Sequence, residues 1–305
     1  MFTCREMLQT TSKRWGKKEP RFVEITPRVV VILQMCDLVR FSRSSWLYAH
    51  VKKQWPKAHL KTFQEYLKRM CARGLIDKLD TKTNLINALH QPDVYVITKL
   101  GQQTLYDAGF PLTKLPFGVA TDNPKWFPHA LGICDVAHSF LLGTSVISHD
   151  TIFSKAPQAT FKIHIDDKLK GLTPDALIGL EYPVDPTDGK SSKRFIALEF
   201  DTGSEDLGRI EKKFVRYLEI MKQGLYRTHW GLPNIYPLFV TSSQYRLDNM
   251  IRLLKECTGS RGNSKILFQR YLGDTWKKPP ATPYHFTEPS LRAGYPPEDL
   301  RNAPK

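Results

Sequence analysis

The spacing of apolar residues in the first quarter of the chain constrains the fold most strongly. Over residues 27–40 and again over residues 59–73, apolar side chains recur every three or four positions, which predicts two amphipathic helices. Residues 45–54 predict a further helix between them, because two serines precede it and Pro56 ends it. The chain therefore begins its ordered part with three short helices.

Strand-like runs replace the helical period after Gly74. Residues 75–79 and 94–98 are rich in apolar and β-branched side chains and predict two strands, and residues 101–108 predict a closing helix. Three helices, a two-stranded hairpin and a closing helix have the element order of a winged helix-turn-helix. We predict such a DNA-binding domain over residues 25–110, with an unrelated small helical bundle as the alternative.

The charge of the chain is strongly positive and unevenly distributed. The net charge is +15, and residues 1–125 contain 21 Lys and Arg against 10 Asp and Glu, an excess of 11. The remaining 180 residues have an excess of only 4. A basic N-terminal part favours a polyanionic partner, most simply double-stranded DNA. The residues predicted to contact DNA lie on and around the third helix and in the wing: Lys57, Lys61, Lys68, Arg69, Arg73, Lys78 and Lys82.

The sequence gives no sign of a membrane or extracellular protein. The longest apolar run, residues 29–33, is far too short to cross a bilayer, so we expect no membrane insertion. Five scattered cysteines without a Cys-x-x-Cys pair favour neither a disulfide framework nor a zinc knuckle. We expect a cytoplasmic protein.

The second part of the chain alternates between helical and strand-like segments. The predicted order is helix, three strands, helix, strand, helix, strand, which indicates an α/β (α+β) domain with a mixed sheet over residues 126–277. We read residues 1–24 as a basic arm and residues 111–125 as a linker. Residues 278–305 hold seven of the 21 prolines and are predicted to form a tail that lies on the surface or stays mobile.

Three acidic residues at strand ends give the most specific chemical signal. Asp175 opens one predicted strand, and Glu199 and Asp201 end the next, where a spacing of two places their carboxylates on one face. Strand pairing can bring Asp175 beside them, and clustered carboxylates repel one another unless a cation neutralises them. Oxygen ligands favour Mg²⁺ or Mn²⁺, which can activate water for phosphodiester hydrolysis. The alternative is that these are ordinary acids on a solvated rim.

This arrangement resembles the PD-(D/E)xK nuclease fold, also called restriction-endonuclease-like, whose core has the same order of helices and strands. The resemblance implies catalytic roles for Asp175, Glu199 and Asp201. The lysine of that motif should stand where Asp201 stands, so the sequence departs from the pattern. Lys213 on the following helix offers a substitute, and variants of the fold also carry their lysine on that helix. A solvated lysine on a helix surface is the alternative.

Longer motifs resemble the replication-relaxation family of plasmid proteins, which includes MobC-type conjugative relaxases. The segments are 198–204 (LEFDTGS), 174–178 (PDALI), 129–135 (HALGICD) and the spacing from Ile210 through Lys213 to Tyr217. The resemblance covers residues 25–271. It implies a winged helix joined to a nuclease-like domain, and a role in plasmid mobilisation or replication control.

Three further residues are predicted to support the acidic site. His129 shares a helix face with apolar residues, so a buried core histidine is the alternative to a catalytic role. Asp135, on the same helix, could act as a supporting carboxylate. Tyr217 follows Lys213 by one turn, and we expect it to pack in the core with its hydroxyl near the site.

These observations leave three functions open. The first is a metal-dependent DNA-nicking relaxase or endonuclease acting at a plasmid transfer origin, with other mobilisation proteins as partners. The second is a catalytically inactive DNA-binding regulator of plasmid replication or mobilisation with a degenerate nuclease fold, which the missing strand lysine favours. The third is a scaffold within a transfer complex.

Overall fold

We describe the protein from a computed structural model. The structure describes residues 25–80, 92–110, 112, 127–144, 158–162, 172–183, 192–272 and 284–302. The predicted basic arm therefore lies outside the described residues, as does most of the predicted linker.

The described residues of the N-terminal part form four helices and a small antiparallel sheet. Its elements are α1 (Pro27–Leu38), β1 (Ser42–Arg43), α2 (Ser44–Gln54), α3 (Leu60–Ala72), β2 (Ile76–Lys78), β3 (Val94–Ile97) and α4 (Lys99–Asp107). The sheet order is β1-β3-β2, and both pairings are antiparallel. This order is consistent with the winged-helix prediction. The two residues of β1 were not predicted, since so short a strand has no sequence period.

Local signals set the ends of these helices. The Thr26 side chain accepts a hydrogen bond from the Val29 amide and caps α1. Gly74 follows α3 with φ of +67°, and the Leu75 amide returns to the Met70 carbonyl, which completes a Schellman turn. Gly101 is required near the start of α4, because a Cβ there would lie 2.1 Å from the Leu75 carbonyl oxygen.

The second part is built on a seven-stranded mixed sheet. Its helices are α5 (Phe127–Gly143), α6 (Leu207–Gln223), α7 (Leu225–Trp230), α8 (Gln244–Cys257) and α9 (Tyr284–Thr287). Its strands are β4 (Gln158–Lys162), β5 (Ala176–Glu181), β6 (Lys193–Asp201), β7 (Tyr236–Thr241), β8 (Leu267–Arg270), β9 (Ser290–Arg292) and β10 (Tyr295–Glu298). The strand order is β10-β9-β8-β7-β6-β5-β4. β7 runs parallel to β6 and β8, and the other pairings are antiparallel. The predicted mixed α/β fold is confirmed.

The proline-rich tail is not simply a surface segment, and that prediction was wrong for its described part. β9 pairs with β8 and extends the sheet, and β10 then forms its outer edge. Arg194 and Glu298 form an ion pair of 2.6 Å, and Leu300 is buried. Pro296 and Pro297 fit this position, since an edge strand tolerates residues that lack an amide hydrogen.

Two hydrophobic clusters cover the two faces of the sheet. Along β6, Ile196, Leu198 and Phe200 belong to the cluster that contains α5 and the N-terminal helices, whereas Ala197 belongs to the cluster that contains α6 and α8. Glu199 and Asp201 alternate with the first set and therefore face α6 and α8. The predicted domain boundaries stay predictions, but one continuous cluster spans residues on both sides of the proposed linker.

Candidate functional site

Asp175 and Glu199 lie near each other where β5 begins and β6 ends. Ala176 pairs with Leu198 in the antiparallel register of β5 and β6, and the Asp175 amide donates to the Leu198 carbonyl at 2.9 Å. Asp175 comes directly before β5, beyond the last paired residues, and its carboxylate lies between the Phe200 amide and the His129 ring. Its negative charge is still close enough to Glu199 to act on that carboxylate. The structure thus brings together these two predicted residues.

Glu199 is deeply buried and both of its carboxylate oxygens have partners. Tyr217 donates its hydroxyl to Oε1 at 2.6 Å, and Lys213 Nζ lies 2.9 Å from Oε2. Burial and the negative charge of Asp175 raise the pKa of Glu199 to about 7. A cation near this pair therefore favours the ionised carboxylate.

Lys213 and Tyr217 reach Glu199 from consecutive turns of α6. Their spacing of four residues places them on the same side of the helix. Lys213 Nζ also lies 3.1 Å from Glu205 Oε2. Burial alone would lower the pKa of Lys213, but the neighbouring Glu199, Asp175 and Glu205 raise it, so the ammonium stays charged. The predicted proximity of Lys213 and Tyr217 to the acids agrees with the structure.

His129 lies beside Asp175 at the start of α5. Its Nε2 is 3.3 Å from Asp175 Oδ2, and the same oxygen accepts the Phe200 amide at 2.7 Å. Burial would lower the pKa of His129, but the hydrogen bond and charge of Asp175 raise it above its usual value. The ring is partly exposed, so His129 lies at the edge of the cluster and not within the core.

Asp201 points to the same side of the sheet but has different partners. Arg246 binds both of its carboxylate oxygens, and Thr241 donates to Oδ2 at 3.1 Å. A second Arg246 nitrogen donates to the Glu205 carbonyl. The predicted grouping of three metal-binding carboxylates thus becomes a neighbouring pair, Asp175 and Glu199, and a separate ion pair of Asp201 with Arg246.

Arg246 and Glu205 are the residues that sequence reasoning missed. Arg246 lies in the first turn of α8, directly after the parallel strand β7, and the carboxyl ends of parallel strands are where α/β sheets commonly hold functional groups. Its position after a predicted strand is the sequence signal that could have identified Arg246. Glu205 lies in the short loop between β6 and α6, where neither helical nor strand period gives a direction.

Asp135 does not support the acidic site directly, so its predicted role was misplaced. It lies on the buried face of α5 that turns toward the N-terminal part, where Arg43 Nε binds Oδ2 at 2.9 Å. The six residues from His129 to Asp135 amount to about 1.7 turns, so the two side chains lie on different sides of α5 and have different partners. A helix period cannot say which neighbour each side of a fully buried helix meets.

The pair of Asp175 and Glu199 limits how a metal could be held. Among the described residues, no group of three or more His, Cys, Asp or Glu side chains is arranged to hold a metal ion. Mg²⁺, however, is commonly bound by one or two carboxylates together with substrate phosphates and water. Two neighbouring carboxylates, one of them with a raised pKa, fit such a shared site.

The predicted DNA-contacting residues lie mostly on an exposed surface. Lys61, Lys68 and Arg69 are exposed on α3, opposite its buried residues Phe63 and Leu67. The turn before the helix exposes Lys57, whereas Arg73 at its end is half-buried. Lys78 on β2 pairs with Asp93 at 2.8 Å, and Lys82 lies outside the described residues.

Comparisons with known proteins agree with the resemblance of the motifs. A sequence model of the replication-relaxation family matches residues 34–234, about two thirds of the chain. Neither curated proteins nor solved structures give a significant match. In the described part of the chain, no helix has the length and apolar character needed to span a membrane.

Proposed function

The chain belongs to the replication-relaxation family, and on this premise we propose that it nicks duplex DNA at a plasmid transfer origin by metal-assisted hydrolysis. Family membership indicates a role in plasmid replication or relaxation. The observation that supports the chemistry is the neighbouring pair of Asp175 and Glu199, with Lys213 at 2.9 Å from Glu199.

In this proposal Asp175 and Glu199 hold Mg²⁺ or Mn²⁺ together with a DNA phosphate. The ion would polarise the phosphate and lower the pKa of a bound water. Asp201 is left out of the proposed ligand set, because Arg246 already neutralises it. Arg246 instead holds the loop that carries Glu205, and Glu205 in turn contacts Lys213.

The remaining side chains have distinct tasks. Lys213 is the charged group closest to the carboxylate pair, and its ammonium stabilises negative charge that develops on the phosphate. Tyr217 holds Glu199 in place through its hydroxyl. His129 orients Asp175. The basic surface of α3 binds the duplex and supplies most of the affinity.

A catalytically inactive DNA-binding regulator is the second candidate, and the side-chain pairing favours it. Lys213 and Tyr217 contact both oxygens of Glu199, and Arg246 contacts both oxygens of Asp201. A site whose carboxylates are paired within the protein is stable without a metal. The two candidates share the DNA-binding surface and differ in whether the pair of Asp175 and Glu199 takes up a divalent ion.

The deciding experiment combines metal binding with DNA cleavage. Purified protein is titrated with Mn²⁺ in a calorimeter and incubated with supercoiled plasmid carrying the cognate transfer origin. We expect Mn²⁺ binding and relaxed product, both lost in Asp175→Asn and Glu199→Gln, with duplex binding kept. Glu211→Gln, an exposed glutamate on the same helix as Lys213, is the matched control. Tight origin binding without metal uptake or relaxation would support the regulator.

A further inference from the structure

The buried face of α5 carries a carboxylate that is bound from three separate elements. Asp135 accepts Arg43 Nε at 2.9 and 3.2 Å, from β1 in the N-terminal part. It also accepts the Trp46 indole nitrogen at 2.8 Å and the Tyr271 hydroxyl at 2.5 Å. The side chains of Arg43 and Asp135 are only 6% and 2% exposed. One carboxylate thus joins β1, α2 and the end of β8.

A second set of buried contacts continues along α5, one turn further on. His138 Nε2 lies 2.9 Å from the Ser42 hydroxyl, and its Nδ1 lies 3.2 Å from His50 Nε2. Near the end of the helix, Lys53 Nζ donates to the carbonyls of Leu142 and Thr144 at 2.7 and 2.6 Å. Polar contacts therefore fix the second half of α5 to the N-terminal part.

The same helix is packed tightly against the strand that carries the acidic pair. A Cβ on Gly132 would lie 2.2 Å from the Phe200 ring, so α5 and β6 approach as closely as a glycine allows. Phe200 lies between Glu199 and Asp201, and its amide binds Asp175. The Tyr271 ring packs edge-on against Phe200 with centroids 5.0 Å apart. Asp135 is thus connected through Tyr271 to the site.

Buried polar contacts of this kind tolerate little sliding. Moving the N-terminal part relative to α5 would leave Arg43 and Asp135 as unpaired charges in an apolar surrounding, which is strongly unfavourable. The hydrogen bonds of Trp46 and Tyr271 converge on the same two oxygens and restrict rotation as well. Only one relative position satisfies all of them.

We infer that Asp135 is a positioning residue that fixes the DNA-binding surface of α3 at one distance and angle from the acidic pair, so that the nick falls at a fixed number of base pairs from the recognised sequence. This inference rests on the proposed nicking function. It assigns to Asp135, Arg43, Trp46 and Tyr271 a role in selecting the scissile phosphate, although none of them contacts the acidic pair.

The test measures nick position and the geometry of the protein separately. Nicks on end-labelled origin DNA are mapped at nucleotide resolution for the full chain, for Asp135→Asn and for Tyr271→Phe. We expect one major position in the natural protein and nicks spread over neighbouring positions in both variants. Tyr48→Phe is the matched control, because it removes a tyrosine hydrogen bond within the N-terminal part. It should leave the position unchanged.

A distance measurement keeps the inference testable without cleavage. Spin labels are attached through genetically encoded keto amino acids at exposed positions 68 and 255, on α3 and α8. We expect one narrow distance distribution in the natural protein and a broader one in Asp135→Asn and Tyr271→Phe. If Asp135→Asn does not fold, Tyr271→Phe and Trp46→Phe decide the outcome.

The possible failures are distinguishable. Absence of any nicking would refute the proposed function, while the label distances would still report on the coupling of α3 to the sheet. Nicking at scattered positions by the natural protein would overturn the inference and leave the proposed function standing. Unchanged nick positions and unchanged label distances in folded variants would also overturn it.

Discussion

Lys213 Nζ lies 2.9 Å from Glu199 Oε2, and Glu199 in turn lies close enough to Asp175 for the two negative charges to act on each other. The lysine comes from α6 and not from the strand itself, yet its ammonium reaches the carboxylate pair. A second contact with Glu205 holds it from the other side. Lys213 is therefore a partly buried cation between acidic groups, and its replacement is the most direct test of the proposed chemistry.

Replacing Lys213 by methionine should abolish most nicking and leave DNA binding nearly intact. A charged group that acts on the transition state contributes about 100- to 1000-fold to kcat, and an uncharged side chain of similar length cannot replace it. Lys212→Met, the exposed neighbour on the same helix, is the control and should behave like the natural protein. Initial rates of plasmid relaxation and fluorescence anisotropy with duplex DNA measure the two quantities. An equal loss of relaxation rate in Lys213→Met and Lys212→Met would contradict a specific role for Lys213.

Removing basic side chains from α3 should weaken DNA binding in a salt-dependent way. Lys68 and Arg69 are exposed, so Lys68→Ala and Arg69→Ala should not unfold the helix. Each lost phosphate contact lowers the slope of log affinity against log salt by about 1. Anisotropy titrations of the full chain between low and moderate salt measure that slope. Lys255→Ala on α8 is the control. If it lowers the salt dependence of DNA affinity as much, the DNA is bound by the overall positive charge and not by the surface of α3.

The sequence could predict the parts of the site that depend on period and register. The spacing of two placed Glu199 and Asp201 on one face, and the spacing of four placed Lys213 and Tyr217 on one side of α6. Their partners could not be predicted in the same way. Arg246 reaches Asp201 because α8 begins directly after β7 and β7 pairs with β6, and local spacing does not encode which strands are neighbours.

The same limit explains the other differences. Asp135 pairs with Arg43, which lies 92 residues earlier in the chain, so no local pattern connects them. The described tail joins the sheet through β9 and β10, although its prolines favoured an irregular segment. The outer position of β10 in the sheet explains how a strand that contains prolines can still pair, since an edge strand needs fewer amide hydrogens. Local patterns therefore predicted elements and faces, and the packing of those elements decided the partners.

Three buried histidines should make the folded state sensitive to mild acid. Burial lowers the pKa of His50 and of His285 to about 3, and burial together with His50 lowers that of His138 well below its usual value. Above pH 6.5 both the folded and the unfolded state hold them neutral, so they do not make the free energy of unfolding depend on pH. Below pH 6.5 only the unfolded state binds the protons. The free energy of unfolding should therefore fall by about 1.4 kcal/mol per pH unit for each histidine.

His50→Gln tests this pH dependence in urea unfolding between pH 7 and 4.5. The amide can keep a hydrogen bond to His138 but cannot take up a proton in the unfolded state. The variant should lose less stability than the natural protein as the pH falls. His59→Gln is the control, because His59 is exposed. A loss of stability that is the same in all three proteins would place the acid-sensitive group elsewhere.

Replacing Tyr217 by phenylalanine distinguishes hydrolysis from nicking through a covalent tyrosine. The Tyr217 side chain is fully buried, and its hydroxyl donates to Glu199 at 2.6 Å. A nucleophilic oxygen must lie in line with the phosphate, and a buried ring that holds a carboxylate cannot turn to reach it. Tyr217→Phe removes one hydrogen bond, so nicking should fall by about tenfold at most. Denaturing gels of end-labelled origin DNA, with and without protease, should show free DNA ends and no protein–DNA adduct in either protein. An adduct that survives denaturation and disappears in Tyr217→Phe would contradict hydrolysis and place the chain with the covalent relaxases.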